Sequence, residues 1–409
     1  MEKQIQTIWK RSFCYLFFGL LCTLTVSGQN DVKSYLKKVL GNLEEIESAS
    51  YCLELKAWEP GDTVPAYDEY KFNKEYTNPK DTTIGSSYVV VDESARFEWG
   101  YNGKVKATTY HDQKVIVVDD FTHRNLPFRL VGPPFFNYTR SLVRYVLETT
   151  DSISTTLNEF EDYYYLSLVI HEDRQVEFFG KAYYMPLPPF DMGDPTSRYE
   201  LWISKSNDLP YKYRREMSHS ISMEECSDVT LNNLSIEDFD LYSYFPADYE
   251  THKYGEKRNQ PAKPELLEKE APDWTLKNAG GQMFSLSDFK ESKVLLIQCT
   301  GIGCGPCMVS IPFLNKLKQD YKTDDLDVVA IETWGRKAHS LQNYADKHHI
   351  QYTFLEGNDA VVDAYKTGRA APFFFILDKQ RVIRNIIQGY SKDKTDQEIT
   401  NVINNLISE

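Results

Sequence analysis

The chain has 409 residues, 60 of them acidic and 46 basic, for a formal net charge of −14 at pH 7. A chain this acidic does not hold a nucleic acid through its overall field, and it offers no basic stripe to an anionic membrane. Its length suits two domains, and 14 % aromatic residues allow each a substantial core.

Residues 1–28 read as a secretion signal. Lys3, Lys10 and Arg11 give a positive start, Phe13 to Leu24 is apolar but short for a bilayer span, and Val26-Ser27-Gly28 offers small residues before a cut at Gln29. Cleavage removes three basic residues and one acid, so the mature chain is more acidic still. Lipidation at Cys22 is disfavoured by the bulky Leu21 before it and the apolar residues after it. Export places the protein outside the cytoplasm, in a bacterial periplasm.

Residues 29–251 read as a domain dominated by antiparallel β structure. Val32, Tyr35, Leu36, Val39, Leu40, Leu43 and Ile46 fall on one face of a helix over 31–47. Strands are then expected at 50–58, 67–76, 87–91, 95–101, 104–111, 114–119, 154–159, 163–171, 176–179, 198–204, 211–218 and 229–236. Proline-rich 127–137 is expected as a loop, 141–149 as a short helix, and 183–195, with four prolines, as an arch. The tyrosine clusters suit strand propensity and sheet packing. Cys52 and Cys226 either form a structural disulfide, which export permits, or remain two buried free thiols. Residues 252–270 are charged, hold Pro261 and Pro264, lack apolar periodicity, and read as a linker between movable domains.

From residue 271 the pattern alternates. Strands are expected at 293–299, 326–332, 352–355, 373–377 and 381–387, with helices at 305–321, 337–349, 359–367 and 393–408. Such alternation predicts a mainly parallel sheet with helices on both faces. Cys304-Gly305-Pro306-Cys307 follows the apolar run 293–300 and opens a helix marked by Val309, Pro312, Phe313, Leu314, Leu317 and Tyr321. A tetrahedral zinc site needs four ligands. No second Cys pair exists, and His348 and His349 are adjacent, so no metal is expected. A redox dithiol fits better. At a helix start, unpaired N–H groups and the helix dipole favour a Cys304 thiolate. Cys307 is one turn further in, close enough to close a ring, and Pro306 suits the first helical turn. Pro312 should kink the helix. Cys299 reads as a small buried hydrophobe rather than a third redox thiol.

These residues resemble the thioredoxin superfamily, most closely the TlpA/ResA-like secreted thiol–disulfide oxidoreductases. The resemblance spans about 271–409. It is carried by Ala271-Pro272-Asp273-Trp274, Gly281, Ser285 to Phe289, the CGPC motif, Pro312, Val328 to Glu332, Ala371-Pro372 with the apolar run 373–377, and Gly389. It implies a thioredoxin fold, a cis bond before Pro372, and client contact through the Ala371 backbone. There are departures. Gly303 stands where an aromatic is usual, and Gln298 where thioredoxins bury an aspartate. Ser310 stands where relatives often carry a glutamate, and Ala371 where threonine is usual. Neither usual proton acceptor for Cys307 is present. Glu332 is a candidate against its simpler reading as a strand-end surface carboxylate. The N-terminal domain resembles, through its opening helix, its meander, Tyr199 to Ile203, Leu209-Pro210-Tyr211 and Phe245-Pro246, the half-open barrels of LolA-like carriers.

The chemistry implied is thiol–disulfide exchange. Cys304 attacks a client disulfide and Cys307 resolves the mixed disulfide. The only redox group is the Cys304–Cys307 pair, so no cofactor is required. Thioredoxin shares the Gly-Pro dipeptide and lies near about −270 mV, against about −120 mV for DsbA, which favours a reductase of protein disulfides. An exported reductase needs electrons from a membrane donor. A peroxiredoxin would need a proline before a Thr-x-x-Cys setting, and Thr300 lies four residues before Cys304 with no such proline. In the remaining alternative the β domain carries an apolar ligand or docks a partner, with the dithiol accessory.

Overall fold

The computed structural model describes residues 29–59, 61–123, 131–185, 195–217, 220–256 and 265–409. Residues 1–28, where a signal is expected, with Cys14 and Cys22, residues 127–130 and 186–194 of the two proline-rich stretches, and Pro261 and Pro264 lie outside the described residues. Among the described residues no helix is long and apolar enough to cross a membrane.

The N-terminal region opens with α1 (Gln29–Glu44) and runs into β1 (Ser48–Trp58), β2 (Tyr67–Thr77), β3 (Ser86–Val91), β4 (Phe97–Tyr101), β5 (Lys106–Tyr110) and β6 (Val115–Asp119). Helix α2 (Phe135–Glu148) follows. Then come β7 (Ile153–Glu159), β8 (Tyr163–Ile170), β9 (Val176–Phe178), β10 (Ala182–Tyr184), β11 (Ser197–Ser204), β12 (Leu209–Met217), β13 (Ser220–Leu231) and β14 (Glu250–Lys253). Twelve strands form one sheet in the order β14-β6-β5-β4-β3-β2-β1-β13-β12-β11-β8-β7, and β9 pairs with β10. The sheet ends at β14 and β7, so it is not a closed barrel. Strand β14 joins β6 in parallel, so the chain is still in sheet where the sequence suggested a linker. Leu36, Val39 and Leu43 of α1 and Phe135, Phe136, Leu142 and Val143 of α2 meet Leu166, Leu168, Tyr199 and Leu201 of the sheet in one core. Each such fully buried apolar side chain contributes roughly 1.5–3 kcal/mol.

Three expectations fail here for local reasons. Residues 135–137 are helical, not loop, because the cap of α2 comes from across the sheet. Phe136 N donates to the Glu75 carboxylate at 3.0 Å, and Phe135 N donates to Tyr51 Oη at 3.1 Å. The N-cap residue Pro134 has no side chain able to do this. Strand β13 spans Ser220–Leu231, not 229–236; its half-buried Glu225 is matched by Lys212 on β12 at 3.0 Å, a cross-strand pair that supports a strand poor in apolar residues. The start of the expected arch, Tyr183 and Tyr184, pairs with β9.

The C-terminal part begins with a hairpin, β15 (Thr275–Asn278) and β16 (Met283–Ser285), which alternation did not reveal. It continues through β17 (Val294–Thr300), α3 (Gly305–Asp320), β18 (Leu326–Glu332), α4 (Ala338–Lys347), β19 (Thr353–Glu356), α5 (Asp359–Ala364), β20 (Phe373–Leu377), β21 (Ile383–Gln388) and α6 (Lys392–Ser408). The sheet order is β16-β15-β19-β18-β17-β20-β21. Only β17, β18 and β19 run parallel; β20, β21 and the opening hairpin are antiparallel to their neighbours. The mainly parallel expectation is therefore corrected to a mixed sheet. Strands β20 and β21 are joined by a tight turn with no helix between them, which permits only antiparallel pairing.

Period-two alternation feeds two cores. Leu296, Val328 and Phe374 face Ile311 and Leu314 of α3, Leu341 of α4 and Ile399 and Ile403 of α6. Leu295, Ile297 and Phe375 face Val361 of α5 with Trp274, Leu286 and Phe289. Helices thus cover both faces, and β17 ends its buried run in the middle of the sheet.

Candidate active site

Strand β17 delivers the chain to Gly301, and α3 starts four residues later. Cys304 is the N-cap of α3, with extended backbone, and Cys307 N donates to its Sγ at 3.3 Å. Cys304 and Cys307 are joined in a disulfide with sulfurs 2.12 Å apart. Cys304 is 5 % exposed and Cys307 1 %. That asymmetry makes Cys304 the sulfur a second chain reaches first. Pro306 is exposed in the first turn, and Pro312 lies inside the helix.

The Ala371–Pro372 bond is cis. It brings Ala371 O to 3.7 Å from Cys304 Sγ. Gly389 N, at the end of β21, donates to Pro372 O at 2.8 Å and fixes the loop from behind. The fold thus brings together Cys304, Gly305, Pro306, Cys307, Ala371 and Pro372 from distant parts of the chain.

Beneath the dithiol, the two positions that depart from the family pattern touch each other. Gln298 Nε2 donates to Ser310 Oγ at 2.9 Å, and Ser310 Oγ donates to Cys307 O at 2.6 Å. Both side chains are buried. A neutral hydrogen-bonded pair fills this space, where the resemblance implied an acid.

Glu332 is not a surface carboxylate; it is fully buried. It accepts from Ile302 N at 3.4 Å, Trp334 N at 3.0 Å and Arg336 N at 2.8 Å. Burial pushes its pKa up, and these N–H groups pull the other way. The carboxylate ties the loop after β18 to the loop that carries the dithiol.

Sequence reasoning missed Trp334. It is 37 % exposed, and its ring lies so close to Gly301 that a Cβ there would stand 2.3 Å from Cδ2. Its Nε1 donates to Arg369 O at 2.8 Å. An aromatic just past a strand end was the available signal.

Cys299 is fully buried, and burial pushes its thiol up to about 12, in keeping with a packing role. The Cys52–Cys226 disulfide is not formed, and both residues are free. Cys52 pairs with Ser227, and Cys226 pairs with Leu53, on β1 and β13. Facing residues share a side of the sheet and neighbours alternate, so the two thiols point to opposite faces. Cys226 enters the core under the helices, while Cys52 lines a groove with Phe72, Val91 and Tyr244.

A profile of the Redoxin family matches residues 267–403. The thioredoxin-like protein YneN of Bacillus subtilis is 32 % identical over 133 residues, which cover 32 % of this chain and 76 % of that protein. The chain belongs to the TlpA/ResA-like branch of the thioredoxin superfamily. The thiol–disulfide oxidoreductase ResA of Geobacillus kaustophilus is 29 % identical over 120 residues, covering 29 % of this chain and 67 % of its own. The thioredoxin domain of a thiol–disulfide oxidoreductase from Bacteroides vulgatus is similar with a TM-score of 0.29 and 18 % identity, covering 34 % of this chain and 97 % of that one. This TlpA/ResA-like chain is a thioredoxin-like thiol–disulfide oxidoreductase. The matched segments account for its C-terminal part, and the twelve-stranded region stands in front of them.

Proposed function

We propose that the protein is exported and reduces disulfides in protein clients, with Cys304 as nucleophile and Cys307 as resolving thiol. The observation that carries this reading is the position of Cys304: at the N-terminus of α3, more exposed than Cys307, and facing Ala371 O. In the reduced enzyme the Cys304 thiolate attacks one sulfur of the client disulfide and expels the other as a thiolate. The Cys307 sulfur, after losing its proton, then attacks Cys304. The second client thiolate leaves, and the enzyme holds the disulfide. Two electrons pass from enzyme to client.

Ala371 supplies a backbone carbonyl beside the reacting sulfur for an extended client segment, and Pro372 fixes it there. The Gly-Pro dipeptide supports the reductase direction. A membrane-bound electron donor outside this chain returns the pair to the dithiol, and the amino-terminal signal features support a periplasmic setting. The domain plan follows: a signal over 1–28, a β-rich domain to 251, a linker over 252–270, and the catalytic domain from 271. Residues 29–251 serve as a docking or spacing element.

Turnover of insulin disulfides by the mature chain with dithiothreitol as donor tests the reading. Wild type should accelerate reduction, and Cys304→Ser should not differ from buffer. Equal rates for wild type and Cys304→Ser would overturn it.

A further inference from the structure

The tip of the β1–β2 hairpin, in the N-terminal region, reaches the rim of the dithiol. Asp62 anchors it. The Asp62 side chain is 0 % exposed; its oxygens accept from Ser340 Oγ and Asn343 Nδ2 at 2.5 Å each, and His339 Nε2 lies 3.4 Å away. These three residues lie in the first turns of α4, where the helix dipole favours an anion. The helix lacks a capping side chain of its own, since its N-cap Lys337 makes no such bond. Gly61 (φ +97°) lets the tip approach so closely that a Cβ there would sit 3.4 Å from Asn343 Cβ.

The anchor holds Glu59 beside the motif. Glu59 Oε1 pairs with an Arg336 guanidinium nitrogen at 3.2 Å. Its Oε2 is the atom nearest the open side of Gly303, 3.8 Å from where a Cβ would stand. Gly303 is exposed, takes φ +81°, and precedes Cys304. The arginines of this rim are already taken: Arg336 by Glu59, and Arg369 by Asp359. Glu332 is turned to backbone N–H groups. The Glu59 side chain is 13 % exposed, and burial raises its pKa while Arg336 lowers it.

We propose that the β1–β2 hairpin forms one wall of the client-binding surface and that Glu59 is its specificity-determining residue. It selects disulfides flanked by basic or neutral residues over those flanked by acidic ones. The inference rests on the reductase reading above and gives it a client class. The mechanism is electrostatic. A client lying across Gly303 brings its flanking side chain against a partly desolvated carboxylate, where like charges are poorly screened. Asp62 is a positioning residue: without its bonds to α4 the carboxylate at position 59 is no longer held there.

The test uses the full mature chain and two peptides, each closed by one disulfide and differing only in Lys or Glu beside the cysteine. At low ionic strength wild type should show kcat/KM at least about threefold higher for the Lys peptide, and salt should erode the ratio. Glu59→Gln should lower the ratio at least about threefold, because Arg336 then stands without its acid. Asp62→Ala should lower it similarly although Glu59 is intact. An unchanged ratio in both variants, with both peptides still reduced, would overturn the proposal and leave the reductase reading standing. So would an equal loss on both peptides, which would make the hairpin only a support. Failure of wild type to reduce either peptide or insulin would remove the reductase reading and this inference with it.

Discussion

The buried pair beneath the dithiol gives a prediction that can be worked through. Ser310 Oγ bridges Gln298 Nε2 and Cys307 O. Ser310→Ala removes the bridge and leaves the Gln298 amide, 1 % exposed, without that acceptor. Stranding a buried donor costs about 1–3 kcal/mol. Replacing both partners by apolar groups of similar shape is close to neutral. Gln298→Met/Ser310→Ala should therefore recover most of the stability that Ser310→Ala alone loses. Cys299, adjacent to Gln298 in β17 and fully buried, offers a local readout. Its alkylation in the oxidised protein requires the sheet to open, and where reclosing is fast its rate tracks the open population. A cost of about 1–3 kcal/mol raises that population about 5- to 150-fold. Labelling Cys299 with iodoacetamide and quantifying the peptide by mass spectrometry gives the rate. The reasoning predicts acceleration in that range for Ser310→Ala, with the double variant returning to within a few fold of wild type. Additive losses would show that the pair is not coupled and that the geometry is misread.

Three further outcomes follow from the site. Cys307→Ser should accumulate client–Cys304 mixed disulfides on a non-reducing gel, and an absence of such bands would remove Cys307 as the resolving thiol. Gly301→Ala would put a Cβ 2.3 Å from the Trp334 ring, so the ring must move; the expected result is a changed Trp334 environment and a loss of kcat/KM of at least about tenfold, checked by fluorescence and insulin reduction, and wild-type behaviour in both would refute it. With its thiol pushed up to about 12, Cys299 should hold almost no thiolate at pH 8 in the folded protein and become reactive only on unfolding; rapid native alkylation at pH 8 would contradict its burial.

The sequence carried the catalytic half of this molecule further than the other half, and the reason is physical. Local signals dominate there. The apolar runs 294–300 and 373–377 are buried on both faces, so they stand out as strands. The CGPC turn fixes the start of α3 within one residue. What could not be read was contact across the chain. Gln298 and Ser310 were each visible as departures, but only the fold joins them. Glu332 looked like a surface carboxylate because its partners are backbone N–H groups, which no residue type announces. The cap of α2 by Glu75, 61 positions earlier, is of the same kind. Cys52 and Cys226 looked pairable by count; register, which puts them on opposite faces, is a property of the sheet. The hairpin tip at Glu59 to Asp62 carried no motif at all, and its meaning comes wholly from where β1 and β2 aim it.

The account rests on a reversible two-electron couple. Mature protein equilibrated in dithiothreitol or glutathione buffers of graded potential, then alkylated and weighed by mass spectrometry, measures it directly. The prediction is that Cys304 and Cys307 gain label together in one transition, with a midpoint nearer about −270 mV than about −120 mV, while Cys299 stays unlabelled. Cysteines that never titrate, or that titrate separately, would contradict it.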